Sequence, residues 1–519
     1  MSPYIIFVPV RTTSKRLPFK HFHYISDDLV LDHLLANIEN AVPPSQVCVL
    51  TSTEKSDDYV EAYANKRGVP LFRGSLDNVL ERFQSAATSF PASWYCRVNG
   101  DSFGLLLDIL NEFKEVTKRD STIDVFTTVG SGIPSGFHFE AVSNRLLQKL
   151  EAQGAFVSAN DEEKEHVFPF FYKRATNVYV ANRENLSTAA KFSLDTFQDL
   201  QVRRHLIASK KTARYSHEII DLAAEVREFK LQHPFLGKHG PLLISEIGGN
   251  HEGNFETAVR LVEQALETDV DVVKLQIYSP DKLVNKKYSP DRHKHFSNFT
   301  LTPEQNARLL ERIRSGGKKA SASIWSISEF DQFEELIDLV KIGSGDFDDY
   351  LILERLAQSS KPLIISSGLS NSDEVNFIVN YLLTDLGVPT HRLALLQCTS
   401  MYPIPPIEAN LAVLQRYRDT FPITVGYSDH TVGVDALSYA VAIGAEVLEF
   451  HYSEDPTRTT FRDHLVSLDK RGVEELISRI AAINTLRGSN SKRTTLLEDA
   501  TGHTNTFRKG LYLRRDYKK

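Results

Sequence analysis

The sequence predicts an α/β protein of two domains, an open α/β domain followed by a (β/α)8 barrel. Three observations predict it. The chain has 519 residues, more than one ordinary domain holds. Both halves alternate short β-branched runs with longer amphipathic segments. The second half packs eight such strand–helix units into roughly 240 residues, the period of a barrel. Hydrophobic residues at 41% and charged residues at 24% give the balance of a globular protein.

In the first half, strands are expected at Ile5–Val10, Val47–Thr51, Trp94–Asn99 and Val125–Val129. The opening apolar run, Tyr4–Val10, is followed by Arg11, Lys15 and Arg16. A secretory leader carries its charges before the apolar stretch, so this run reads as a first strand. Residues 201–231 are charged and helix-favouring, and Gln232–Pro241 then holds two prolines and two glycines, a domain boundary. The expected domains are therefore 1–230 and 235–519. Barrel strands follow at Leu242–Gly248, Val272–Tyr278, Ala320–Trp325, Leu339–Ser344, Leu363–Gly368, Leu393–Ser400, Ile423–Asp429 and Val447–Tyr452.

The net charge of −7 offers no whole-protein basic field, so nucleic acid is not an expected partner. Cys48, Cys96 and Cys398 form no CxxC pair and no disulfide framework, which points to a reducing cytoplasm. No apolar run is long enough to span a bilayer.

Active sites of such barrels lie where strands end. These ends present Glu246, Lys274, Gln276, Ser323, Lys341, Ser344, Asp346, Ser366, Ser400, Tyr402, Ser428, His430, Glu449 and His451. Lys274 and Gln276 share one face of an apolar strand and point inward, where a cation needs an anionic partner. Two lysines and several hydroxyls at one mouth make a phosphate or carboxylate site. His430 and His451, on adjacent strands, can share a divalent metal. In the first half, Arg11, Lys15, Arg16 and Lys20 crowd a loop after the first strand, where open α/β sheets bind phosphates, and Asp101 ends a strand where it can hold Mg²⁺.

SEIGGNHEGN, VVKLQIY, VKIGSGDF, PLIISSG, QCTSMYPIPP, VGYSDHTVG and GAEVLEFHY occur in order over residues 240–515. In these the chain resembles the sialic acid synthase family. The resemblance implies condensation of phosphoenolpyruvate with an amino-sugar aldehyde, giving a nonulosonic acid and phosphate. It implies that His430 and His451 bind Mn²⁺ or a similar ion. Lys274, Lys341, Ser344, Ser366 and Ser428 would hold phosphoenolpyruvate, with Ser323 and Ser400 near its phosphate. Glu246, Gln276, Asp346 and Tyr402 would orient the sugar and the attacking water. Ser323-Ile324-Trp325-Ser326 stands where the family has TPFD. The family also carries a C-terminal antifreeze-like domain that lends an arginine to the partner subunit. That domain is expected to be absent, since the chain ends at RKGLYLRRDYKK. A homodimer is expected, with either a separate antifreeze-like protein or a different sugar clamp.

The loop RTTSKRLPFK, then FRGSLDNVLERF, RVNGD, SGFHFEAVS, Glu165-His166-Val167 and SLDTFQDL resemble the cytidylyltransferases of spore-coat and acidic-sugar activation over residues 1–210. By that resemblance the first domain is a Rossmann-like nucleotidyltransferase. Arg11, Ser14, Arg16 and Lys20 would bind the CTP phosphates, and Asp101 with Asp195 would hold Mg²⁺. Phe103 replaces a usual proline. The alternative is a non-catalytic nucleotide-binding or assembly module beside an active barrel.

Overall fold

The computed structural model describes residues 2–183, 186 and 188–500. The run RKGLYLRRDYKK, on which the expected absence of an antifreeze-like domain rests, lies outside them. The chain divides into two compact units: the residues up to Phe229 together with those from Arg487 onward, and Lys230–Leu486.

The first unit is built on a seven-stranded sheet. Its strands are β1 (Ile5–Pro9), β2 (Val47–Ser52), β3 (Leu71–Gly74), β4 (Trp94–Arg97), β5 (Val125–Thr127), β6 (Glu140–Ser143) and β7 (Val178–Val180). The spatial order is β3-β2-β1-β4-β6-β5-β7, with β1 parallel to both β2 and β4. Strand order therefore reverses beside β1, and a crevice opens past its carboxyl end. Ile5, Phe7, Cys48 and Leu50 on the parallel strands meet Phe83, Phe168 and Phe171 in the core. The residues after the barrel return to this unit. Arg493 donates to the Asp27 carbonyl at 2.6 Å and lies 4.2 Å over the Tyr24 ring, and Lys66 pairs with Asp499 at 2.8 Å.

The second unit is a closed parallel barrel of β8 (Gly240–Ile247), β9 (Val272–Ile277), β10 (Lys319–Ile324), β11 (Leu339–Ile342), β12 (Leu363–Ser366), β13 (Leu393–Cys398), β14 (Thr424–Asp429) and β15 (Val447–Tyr452). Closure is made by β8 against β15, with Leu242 opposite Val447 and Glu246 opposite His451. All eight expected strands are present within two residues at each end. The boundary segment is not an open linker. Leu236–Gly237 pairs antiparallel with the start of β8 and leads Phe235 in against Leu242, Val272, Leu339, Ile364 and Val447.

Side-chain alternation divides the barrel interior into layers. Leu242, Ile244, Val272, Ile364, Ala394, Leu396 and Val447 fill the amino-terminal end. Residues two positions further on are polar: Glu246, Lys274, Lys341, Ser366 and Glu449, all buried. Outward neighbours such as Val273, Leu275, Val340, Ile342, Leu448 and Phe450 pack under the helices. Asn254, Thr302, Ser326, Asp349 and Asn371 cap the helices that follow the first five strands, each accepting from backbone N–H groups of the first turn. No described helix is long and apolar enough to cross a membrane.

Gly426, opposite Val447, leaves no room for a side chain, because a Cβ there would lie 2.3 Å from the Val447 carbonyl oxygen. That atom is held in the barrel ladder and cannot yield. Gly426→Ala is expected to lower stability by about 1–3 kcal/mol through overpacking, read as a lower midpoint in urea unfolding.

Candidate functional site

The polar layer of the barrel is a connected charge cluster. Lys274 Nζ lies 2.9 Å from Glu246 Oε1 and 3.3 Å from Glu449 Oε2, and it donates to Ser323 Oγ at 2.8 Å. Lys341 Nζ reaches Glu449 Oε1 at 3.4 Å. Ser428 Oγ donates to the same oxygen at 3.0 Å, and Gln276 Nε2 donates to Glu246 Oε1 at 2.7 Å. Burial works against both ammonium groups. For Lys274 the two carboxylates outweigh it and raise the pKa, whereas Lys341 has one more distant partner and its pKa falls. Burial likewise opposes the carboxylate of Glu246, but the lysines win and hold it below its ordinary range. The anionic partners that a buried lysine requires are thus supplied by the protein. Glu449 was visible at a strand end, but no role followed from the sequence.

Above this layer stand the two imidazoles, with ring centroids 5.3 Å apart. Asp429 accepts from Thr431 N and Oγ1 at 2.8 and 3.1 Å, which turns the chain after β14 and fixes His430 at the mouth. His430 Nδ1 faces the Thr399 carbonyl at 2.9 Å. A carbonyl only accepts, so Nδ1 carries the proton and Nε2 keeps a free lone pair. Burial and the neighbouring His451 push the His430 pKa down to about 3, so the ring is neutral at physiological pH. His451 is buried, and neither of its ring nitrogens has a hydrogen-bond partner. Its nearest acids, Glu246 and Asp463, lie 3.7 Å away on either side. Orphaned imidazole nitrogens in a polar cavity suit a divalent cation. Among the described residues no group of three or more His, Cys, Asp or Glu side chains forms a complete cage. Two imidazoles would therefore leave positions for substrate and water, as in an open catalytic site.

Tyr402 lies 3.9 Å from the His430 ring, centroid to centroid, and 5.7 Å from His451. Ser344 sits against Gly368 at the end of β12, where a Cβ on that glycine would come within 2.6 Å of Ser344 Oγ. Ser366 Oγ is buried without a partner. Asp346 and Ser400 make no side-chain hydrogen bond among the described residues. Burial, then Asp349 and Asp348, raise the Asp346 pKa to about 6. Asp463 was missed at the sequence level. It lies in a short 3₁₀ helix, Arg462–Val466, ten residues beyond the end of β15, and carries no strand-end signal.

In the first unit a cavity of about 690 Å³ opens at the strand-order reversal, lined by Arg11, Ser14, Arg16, Lys20, Asp101 and Asp195 among others. Lys20 Nζ bridges the two carboxylates, at 2.5 Å from Asp101 Oδ2 and 3.6 Å from Asp195 Oδ1. Arg16 reaches Asp195 at 3.1 Å and Lys191 reaches it at 2.7 Å. Burial opposes the Asp195 charge, but Lys191 and Lys20 bring its pKa below the usual value. Two carboxylates already gathered around one ammonium fit a hard divalent ion such as Mg²⁺. Glu165 and His166 also line this cavity, a placement the motif alone did not give. The next residue, Val167, holds φ 64°, a strained conformation for a β-branched side chain beside a pocket. Phe103 is not part of the lining; it packs against Phe137 and Phe192, beneath Arg203.

Comparison with known proteins places both units. The NeuB family profile matches residues 261–492, and the Cytidylyltransferase profile matches residues 5–230. The chain is 32% identical to the N-acetylneuraminate-9-phosphate synthase of Mus musculus, over 50% of this chain and 74% of that protein. It is 31% identical to the N,N'-diacetyllegionaminic acid synthase of Legionella pneumophila, over 53% of this chain and 80% of that protein. A solved N-acetylneuraminic acid synthetase from Leptospira borgpetersenii aligns at 25% identity over 53% of this chain and 94% of its own, with a TM-score of 0.49.

Proposed function

We propose, from the premise that this chain belongs to the NeuB family through its barrel and carries a cytidylyltransferase-family unit before it, that it makes and then activates a nonulosonic (sialic-type) acid. The barrel joins phosphoenolpyruvate to the aldehyde of an N-acetylated amino sugar. The observation that carries this reading is the barrel's upper layer, where two buried lysines sit beneath two adjacent imidazoles.

Lys274 and Lys341 hold the carboxylate and phosphate of phosphoenolpyruvate, with hydroxyls from Ser344, Ser366 and Ser428, and Ser323 and Ser400 toward the phosphate. Lys341 is the cation less compensated by the protein, so an arriving anion favours its charged form. The lysines and glutamates balance one another, and phosphoenolpyruvate adds further negative charge, which calls for another cation at His430 and His451. When bound there, Mn²⁺ or a similar ion supplies positive charge that polarises the aldehyde oxygen. Tyr402, Glu246 and Gln276 orient the sugar. Carbon 3 of the enolpyruvate bonds to the aldehyde carbon, whose oxygen takes up a proton. Asp346, with its pKa near 6, accepts a proton from the water that adds at carbon 2. The bond from carbon 2 to the phosphate oxygen then breaks, releasing phosphate and leaving a 2-keto acid. Phosphate release from phosphoenolpyruvate, measured across a panel of amino-sugar aldehydes with Mn²⁺, tests the reading. No release with any of them would sink it.

The first unit transfers CMP from CTP to the acid so formed. Arg11, Ser14, Arg16 and Lys20 hold the CTP phosphates, and Asp101 with Asp195 would hold Mg²⁺, which would supply positive charge toward the leaving pyrophosphate. Residues 1–230 and the barrel from 235 onward are thus assigned consecutive steps. Asp101→Asn keeps the side chain's shape but removes a metal-binding charge. It is expected to lower pyrophosphate release from CTP by about a hundredfold, with phosphate release by the barrel unchanged. Unaltered CTP turnover would return the first unit to the role of a nucleotide-binding module.

A further inference from the structure

The segment Phe461–His464 runs past the barrel mouth beside His451, and three of its four side chains are anchored. Phe461 packs against Phe299 with centroids 4.8 Å apart and rings tilted by 39°, and it fits over Gly249, where a Cβ would come within 2.5 Å of its ring. Asp463 is buried, 3.7 Å from His451 Nδ1. His464 is buried between Ser453 Oγ at 2.7 Å and Glu252 Oε1 at 3.1 Å. Arg462 is the exception, with 64% of its side chain exposed. Its guanidinium lies 4.4 Å over the Tyr402 ring, and Nε stands 3.4 Å from Asp463 Oδ1. Its Nη groups have no hydrogen-bond partner among the described residues.

A free surface arginine samples many rotamers. This one is tethered by fixed neighbours on both sides and by an aromatic face, so its fork of donors is held at the mouth. The Tyr402 ring beneath it continues to His430, 3.9 Å away, where the reacting carbonyl would lie. A sugar bound by its aldehyde at the imidazoles extends past Tyr402 and brings its far end to Arg462. We infer that Arg462 is the specificity-determining residue for the acceptor, gripping oxygen atoms at the end remote from the aldehyde. A guanidinium only donates, so those atoms are acceptors: hydroxyl, acyl carbonyl or phosphate oxygens. This rests on the synthase reading above.

The test uses the full chain, with Arg462→Ala and Arg462→Lys, and follows phosphate release while either substrate is varied. Arg462→Ala raises KM for the sugar about tenfold or more, with kcat changed by no more than about threefold and KM for phosphoenolpyruvate unmoved. Arg462→Lys keeps the charge but loses the fork, and falls between. A larger rise with a phosphorylated sugar than with its unphosphorylated form identifies phosphate as the group held; an equal rise identifies hydroxyl or acyl oxygen. An unchanged sugar KM in Arg462→Ala overturns the inference while the active parent enzyme keeps the synthase reading. An equal rise in KM for phosphoenolpyruvate also overturns it, since the residue would then be shaping the mouth. A parent enzyme inactive with every sugar removes the synthase reading and the inference with it.

Discussion

Lys274→Met is expected to destabilise the barrel by about 3–5 kcal/mol and to weaken phosphoenolpyruvate binding by about 2–4 kcal/mol in whatever protein remains folded. Lys274 is buried, and its ammonium is the one group that touches Glu246, Glu449 and Ser323 together. Methionine preserves length and most of the volume, so packing changes little. What changes is charge. Two buried carboxylates are left with Lys341 as the near ammonium, and Lys341 reaches only Glu449. An uncompensated charge in such a place costs far more than the pair contributed. Adding Glu246→Gln to Lys274→Met removes the carboxylate left without a lysine and should recover about 1–3 kcal/mol of the loss. Urea unfolding of the parent, the single and the double variant reads all three numbers. A single variant as stable as the parent, or a double variant less stable than the single, would show that Lys274 is not the keystone of the cluster.

Removing divalent cations with EDTA should stop phosphate release altogether, and Mn²⁺ should restore it. A second readout is independent of turnover. An ion that binds only the folded protein raises Tm by mass action, by about 2.7 kcal/mol of added stability at a hundred times its Kd. That rise should vanish in His430→Ala and in His451→Leu. His451→Leu is the sharper variant, because both imidazole nitrogens it removes are buried without hydrogen-bond partners. Exchanging an unsatisfied polar ring for an apolar side chain of similar size should leave the metal-free protein at least as stable as the parent. Full activity after EDTA treatment, or an undiminished Mn²⁺-induced rise in Tm in His451→Leu, would remove the metal assignment.

The barrel was legible because its strands are buried on both faces and so read as near-continuous apolar runs, broken by the inward polar residues. VVKLQIY announces Lys274 and Gln276 as a pair by their spacing of two. VLEFHY does the same for Glu449 and His451, but the partners that give Glu449 its role, Lys274 and Lys341, come from other strands and are not encoded in that spacing. In the first unit β3, β6 and β7 went unnamed. Each has four residues or fewer, and β6 runs antiparallel to its neighbours, outside the βα rhythm that found the rest. Arg462 and Asp463 open a short 3₁₀ helix, where position depends on Phe461 and His464 finding distant partners. No local periodicity encodes that. The grouping of residues after 486 with the first unit was equally invisible, since nothing in their composition points back across the chain.

That return has a consequence for the order in which the molecule is assembled. Asp27 and Arg493 are 466 residues apart. Joining the ends of a flexible loop of that length costs about 5 kcal/mol of chain entropy, more than a few surface contacts recover. A barrel already folded replaces most of that loop with a rigid spacer of fixed span. During vectorial synthesis the whole barrel leaves the ribosome before Arg493 does, so the first domain to begin folding is the last to be completed. Its closing segment is then added only to chains whose barrel has matured, and a defect in the barrel should also loosen residues 487–500 from the first unit.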